Sequence, residues 1–140
     1  MHPFRKAIEE RDEAAIQAML ADTVVFTSPV AFKPYVGKPI TAAILRGVMR
    51  IFEDFRYVRE IADSKGRDHA LLFETGVSGV PGMKINGCDF LHFNDDGLID
   101  DFMVMVRPLS GATALSEAMG AQFDRIQQEA LELADQFTTA

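Results

Sequence analysis

The 140-residue chain has no tryptophan, one cysteine and three histidines. No apolar run approaches the about 20 residues that a membrane-crossing helix needs. A lone cysteine, Cys88, cannot close an internal disulfide, and its apolar neighbours suit a small buried side chain better than a nucleophile. His2, His69 and His92 lack metal-ligand spacing with acids, so neither a metal nor a cofactor is expected. "GVSGVPG" lacks the lysine and hydroxyl of a phosphate loop, and no dinucleotide fingerprint occurs. Positive charge is also scarce. Fourteen Lys and Arg against 21 Asp and Glu leave a formal net charge of -7, which opposes binding to phosphate backbones or anionic lipid. Nucleic acid and membrane are therefore excluded as partners. The opening "MHPFRKAIEERDEAAI" has no signal-peptide core, so a cytoplasmic location is expected.

What is present fits one domain over residues 1–140. The chain is 48% hydrophobic, which suffices for one core, and it shows no linker or repeat. Phe4, Ile8, Ala15, Ile16, Met19 and Leu20 recur near helical spacing, with Pro3 opening the run and Asp12 capping a second segment. "TVVFTSP" is a strand stopped by Pro29, and "VAFKPYVGKP" is irregular. A helix follows from Pro39, with Ile40, Ala43, Ile44, Gly47, Val48, Ile51, Phe52 and Phe55 on one apolar stripe and the polar Arg46, Arg50 and Glu53 elsewhere. The period then changes to two in "FRYVREIAD", "HALLFETGVSG", "MKINGCDFLHF" and "LIDDFMVMVRP", with turns at "GVPG" and "NDDG" and a bulge at Asn86-Gly87. The last three of these strands should form an antiparallel meander. A single helix is predicted across "GATALSEAMGAQFDRIQQEALELADQF". Helices ahead of a meander make an α+β domain with helices over one sheet face. "FMVMV" is apolar at every position, so the other face should meet the C-terminal helix or a second subunit.

The order of elements, the turn "FNDDGLI" and the stretches "DEAAIQAMLADTVVFTSP" and "CDFLHFNDDGLI" resemble the nuclear transport factor 2-like superfamily, in its SnoaL-like and ketosteroid-isomerase-like branch. The resemblance covers roughly residues 3 to 108. It implies a cone in which N-terminal helices and a curved antiparallel sheet enclose an apolar pocket, with a C-terminal helix added. It also implies a homodimer through the convex sheet face. Asp89 matches the isomerase aspartate that stays protonated in an apolar site and donates to the substrate oxyanion. Ser28 stands where the isomerases carry their proton-moving aspartate, and Phe4 where they carry a tyrosine. Limonene epoxide hydrolases place an arginine and a second acid where this chain has Gly87 and Val104. The SnoaL-like cyclases, which use one acid or base in an apolar chamber, remain compatible.

If Asp89 points inward, alternation sends Leu91 and Phe93 to the pocket, and pairing adds Phe102, Val104 and Val106. Phe26, Ser28, Leu71, Phe73 and Thr75 complete the predicted wall, with Tyr35 at its mouth as a donor. Phe90, His92, Met103, Met105 and Arg107 turn outward. A greasy chamber with few polar groups suits a small hydrophobic molecule bearing a carbonyl or hydroxyl. Two functions follow. One is cofactor-independent isomerisation, cyclisation or hydration, with Asp89 as a catalytic acid or base whose pKa is raised by desolvation. The other is a non-catalytic ligand-binding or assembly protein, in which Asp89 is held by Ser28, Tyr35 or backbone amides.

Overall fold

The computed structural model describes residues 2–139. Two short helices open it, α1 (Pro3–Glu9) and α2 (Glu13–Ala18). His2 Nδ1 accepts the Phe4 N–H at 3.0 Å, and the Asp12 carboxylate accepts that of Ala15 at 3.1 Å, so each helix has a side-chain cap for an otherwise unsatisfied donor. Between them Arg11 takes a left-handed φ of 54°, which breaks the chain into two helices. Strand β1 (Leu20–Thr27) follows, and the segment predicted to be irregular contributes a two-residue strand, β2 (Tyr35–Val36), on β1. Gly37, at φ 113°, turns the chain into α3 (Lys38–Ile51).

The long strands are β3 (Phe52–Ala62), β4 (Asp68–Val77), β5 (Val80–Phe93) and β6 (Ile99–Arg107); α3 ends at Ile51, so Phe52 and Phe55, expected on its stripe, belong to β3. These strands run antiparallel in order, and β1 joins β6 in parallel, giving one sheet ordered β2-β1-β6-β5-β4-β3. The β4–β5 turn is Ser78–Gly79, not the predicted "GVPG". Gly79, at φ 80°, takes the left-handed position of this turn, which favours glycine. Pro81 lies inside β5, where its missing N–H is harmless because the β4 register skips from Val80 to Ile85 and pairing with β6 starts only at Asn86.

The predicted single C-terminal helix divides into α4 (Leu109–Ala121) and α5 (Phe123–Thr139). At the break the Gln122 side-chain amide donates to the Gly47 carbonyl at 2.8 Å. α5 lies along α3, with Ile126 and Leu133 buried and Glu129 paired to Arg46 and Arg50. Gly47 makes this approach possible, since a Cβ there would sit 2.8 Å from Ile126 Cδ1. The C-terminal helix therefore covers α3 and leaves the outer sheet face bare. Met105 on that face is 54% exposed and Phe90 38%. The core, including Phe4, Leu20, Val24 and Phe102, fills the concave side between sheet and helices.

Candidate functional site

Asp89 projects from the middle of β5, in register with Leu71 of β4 and Val104 of β6. It is buried, and its Oδ2 accepts a hydrogen bond from the Tyr57 hydroxyl of β3 at 2.6 Å. Two breaks in the β3–β4 register aim Tyr57 inward. The first follows the left-handed Asp54, and the second is a bulge at Val58 that puts Tyr57 opposite Phe73 but Arg59 opposite Leu72. Without the bulge Tyr57 and Arg59 would share a face. Burial pushes the Asp89 carboxyl up to about 7, and donation from Tyr57 restrains the rise. The Tyr57 phenol is held well above its ordinary range, first by burial and then by the neighbouring Asp89 charge, so it stays protonated at neutral pH.

The pair opens on a cavity of about 100 Å³. Phe4, Phe26, Phe52, Phe55, Phe73 and Phe102 line it, Met49 and Met119 join them, and Glu9 and Arg11 stand at its exposed edge. Gly87 matters to this wall. A Cβ there would lie 2.1 Å from Phe73 Cζ, so only glycine lets the Phe73 ring cross β5 beside Asp89. Pairing runs unbroken through Asn86 and Gly87, and the glycine marks this close approach rather than the predicted bulge.

Six residues expected at the site, Phe26, Ser28, Phe73, Asp89, Phe102 and Val104, do line the cavity. The others lie elsewhere. Leu71 and Leu91 are buried in the core beyond the cavity wall, and Val106 packs on the same core. The Phe93 ring packs beside those of His2, tilted at 5.4 Å, and His69, edge-on at 5.2 Å. Thr75 Oγ1 donates to the Glu53 carbonyl at 3.1 Å, and the Tyr35 ring rests 6.0 Å from Phe123. Neither Ser28 nor Tyr35 is hydrogen-bonded to Asp89: the Ser28 hydroxyl accepts the Val30 N–H at 3.1 Å, and the Tyr35 ring lies beside Phe123. The partner is Tyr57. Among the described residues no group of three or more His, Cys, Asp or Glu side chains could hold a metal ion.

Residues 2–102 match the family model of the SnoaL-like domain. A steroid delta-isomerase from Pseudomonas aeruginosa is 40% identical in sequence, with 89% of each chain covered and a TM-score of 0.81. An uncharacterized protein with a cystatin-like fold from Silicibacter pomeroyi is 35% identical over 86% of this chain and 82% of its own, with a TM-score of 0.78. An NTF2-like protein of unknown function from Cytophaga hutchinsonii, 18% identical over 76% of this chain and 85% of its own, shares the fold with a TM-score of 0.57. No curated protein sequence matches the chain.

Proposed function

The chain belongs to the SnoaL-like domain family, and from that membership we propose that it binds a small, largely apolar carbonyl compound and moves a proton on it through Asp89. One observation carries the reading: among the described residues lining the cavity, Asp89 is the one buried acid, and burial pushes its carboxyl up to about 7. Near neutral pH such a group is present in both forms, which is the condition for efficient general acid–base work. The carboxylate takes a proton from the carbon beside the carbonyl, and the electron pair moves onto the carbonyl oxygen as an enolate. The protonated acid then returns that proton at a second carbon or at the oxygen. Phe4 cannot donate, and Asp89 and Tyr57, already hydrogen-bonded to each other in the wall, are the polar pair that serves this chemistry. The steroid delta-isomerase relative supports a reaction of this class.

A panel of enolisable cyclic ketones in D₂O tests the proposal. The protein should accelerate deuterium uptake at the α-carbon, and Asp89→Asn should lower that rate about 100-fold or more. Uptake no faster than in buffer would contradict catalysis. A second reading is a binding protein that performs no reaction, and it is favoured by the Tyr57 hydroxyl already occupying Asp89. Such a protein would bind the ketones without exchange.

We also infer a homodimer through the outer sheet face. Register places Ile61, Ala70, Phe90 and Met103 in one row across that face and Leu72, Cys88 and Met105 in the next. An uncovered apolar band of this kind is characteristic of an interface.

A further inference from the structure

The cavity has one charged edge. Of the residues lining it, only Glu9 and Arg11 are exposed, so the end of α1 and the turn into α2 mark where it meets solvent. Glu9 accepts from Arg5 Nε at 3.2 Å, and Arg5 also donates to Glu60 at 3.1 Å, so the two carboxylates share one guanidinium. Arg11 makes no ion pair among the described residues. Its guanidinium makes a single hydrogen bond, from Nη1 to the Met49 carbonyl at 2.9 Å, which leaves most of its five N–H donors without a protein partner. The left-handed backbone at Arg11 and the reach to α3 hold this cation beside Met49, which lines the cavity too.

A groove of about 240 Å³ adjoins the cavity, sharing Arg11, Leu45 and Met49 and adding Arg46, Arg50 and Glu13. Glu13 pairs with Arg46, and Glu129 with both Arg46 and Arg50. Arg11 is thus the guanidinium of this groove that no carboxylate pairs among the described residues, with the acids Glu10 and Asp12 as its chain neighbours. Arg125, 3.7 Å from Glu129, adds to the same sign. In a protein of net charge -7, an unmatched cation at the mouth of an apolar cavity selects for an anion. A single unmatched lining charge fits a carboxylate better than a phosphate dianion.

We propose that Arg11 anchors a carboxylate, so that the ligand is an amphiphile with a neutral carbonyl or hydroxyl end inside, at Asp89 and Tyr57, and a carboxylate at the rim. This rests on the reading of the cavity as a carbonyl or hydroxyl site. The chain has no tryptophan, so naphthol fluorescence reports binding directly. The probes are 6-hydroxy-2-naphthoate and its neutral 6-hydroxy-2-naphthamide.

At low salt the naphthoate should bind about fivefold tighter than the amide, a ratio fitting one exposed ion pair, and added salt should reduce the preference. Arg11→Asn removes the charge with a residue that tolerates the left-handed backbone, and it should abolish the preference. Arg11→Lys should restore part of it. Asp89→Asn should weaken both probes together and keep the ratio. Equal affinities in the parent, or a preference surviving Arg11→Asn, would overturn the anchor and leave the inner site standing. Failure of both probes to bind would overturn the inner site and the anchor together.

Discussion

Asp89 and Tyr57 each set the other's protonation. Burial raises the acid to about 7, while the Tyr57 hydroxyl at 2.6 Å favours its ionised form and limits the rise. Tyr57→Phe removes the donor and keeps the ring, so Asp89 should titrate above its parental value. Carboxyl-carbon NMR with labelled aspartate would measure this. An unchanged or lower value would show that the pair does not form in solution. The acid was legible in the sequence because an aspartate within an apolar alternating run has to be buried with a partner or exposed at a cost. Phe73, Phe102 and Val104 followed from simple parity. Tyr57 did not, since the bulge at Val58 shifts the period just past it. A signal existed all the same: the chain has only two tyrosines, and a buried acid calls for a donor. Tyr35, the one chosen from the sequence, lies against Phe123.

At the scale of elements, periodicity revealed which segments were helix or strand but not how their ends met. The C-terminal apolar positions recur across residues 112–137 at helical spacing, so nothing in the period marks the break at Gln122. The break follows from a tertiary bond, the Gln122 amide to the Gly47 carbonyl, which ends α4 and starts α5 in a new direction along α3. The Glu129 carboxylate then bridges Arg46 and Arg50. These arginines read as a polar stripe, and polarity alone could not show that a second helix would meet it. The β4–β5 hairpin was displaced for a similar reason. Two candidate turns overlap in "SGVPG", and pairing of Val77 with Val80 selects Ser78–Gly79. Glycine carries two meanings here. At Gly79 it supplies a positive φ, and at Gly87 it yields space to the Phe73 ring.

The whole molecule is an open sheet closed on its concave side by helices and bare on the other. Charged rows flank the outer apolar band, Arg56, Glu74 and Arg107 at one end and Asp68, His92 and Asp101 at the other. A two-fold axis lying in the face along these rows, across the strands, would bring the arginine end of one copy to the aspartate end of its partner. Met105→Glu places a charge in the middle of that band and should convert a dimer to monomer in sedimentation at micromolar concentration. A monomeric parent would remove the interface, and an unchanged variant would move it away from Met105. The central claim, a buried acid kept near neutral pKa in a functional cavity, is tested through the stability of the entire fold. Folding favours the protonated form of Asp89, so its stabilising contribution is full below the unfolded value of about 4 and is lost as pH rises through about 7. Asp89→Asn keeps the shape and does not titrate. Denaturant midpoints of both proteins from pH 4 to 8 should show the variant gaining on the parent as pH rises, reaching an advantage of about 4 kcal/mol at most above pH 7. A variant less stable than the parent at pH 8, with the deficit vanishing at pH 4, would make Asp89 a structural carboxylate and contradict the account.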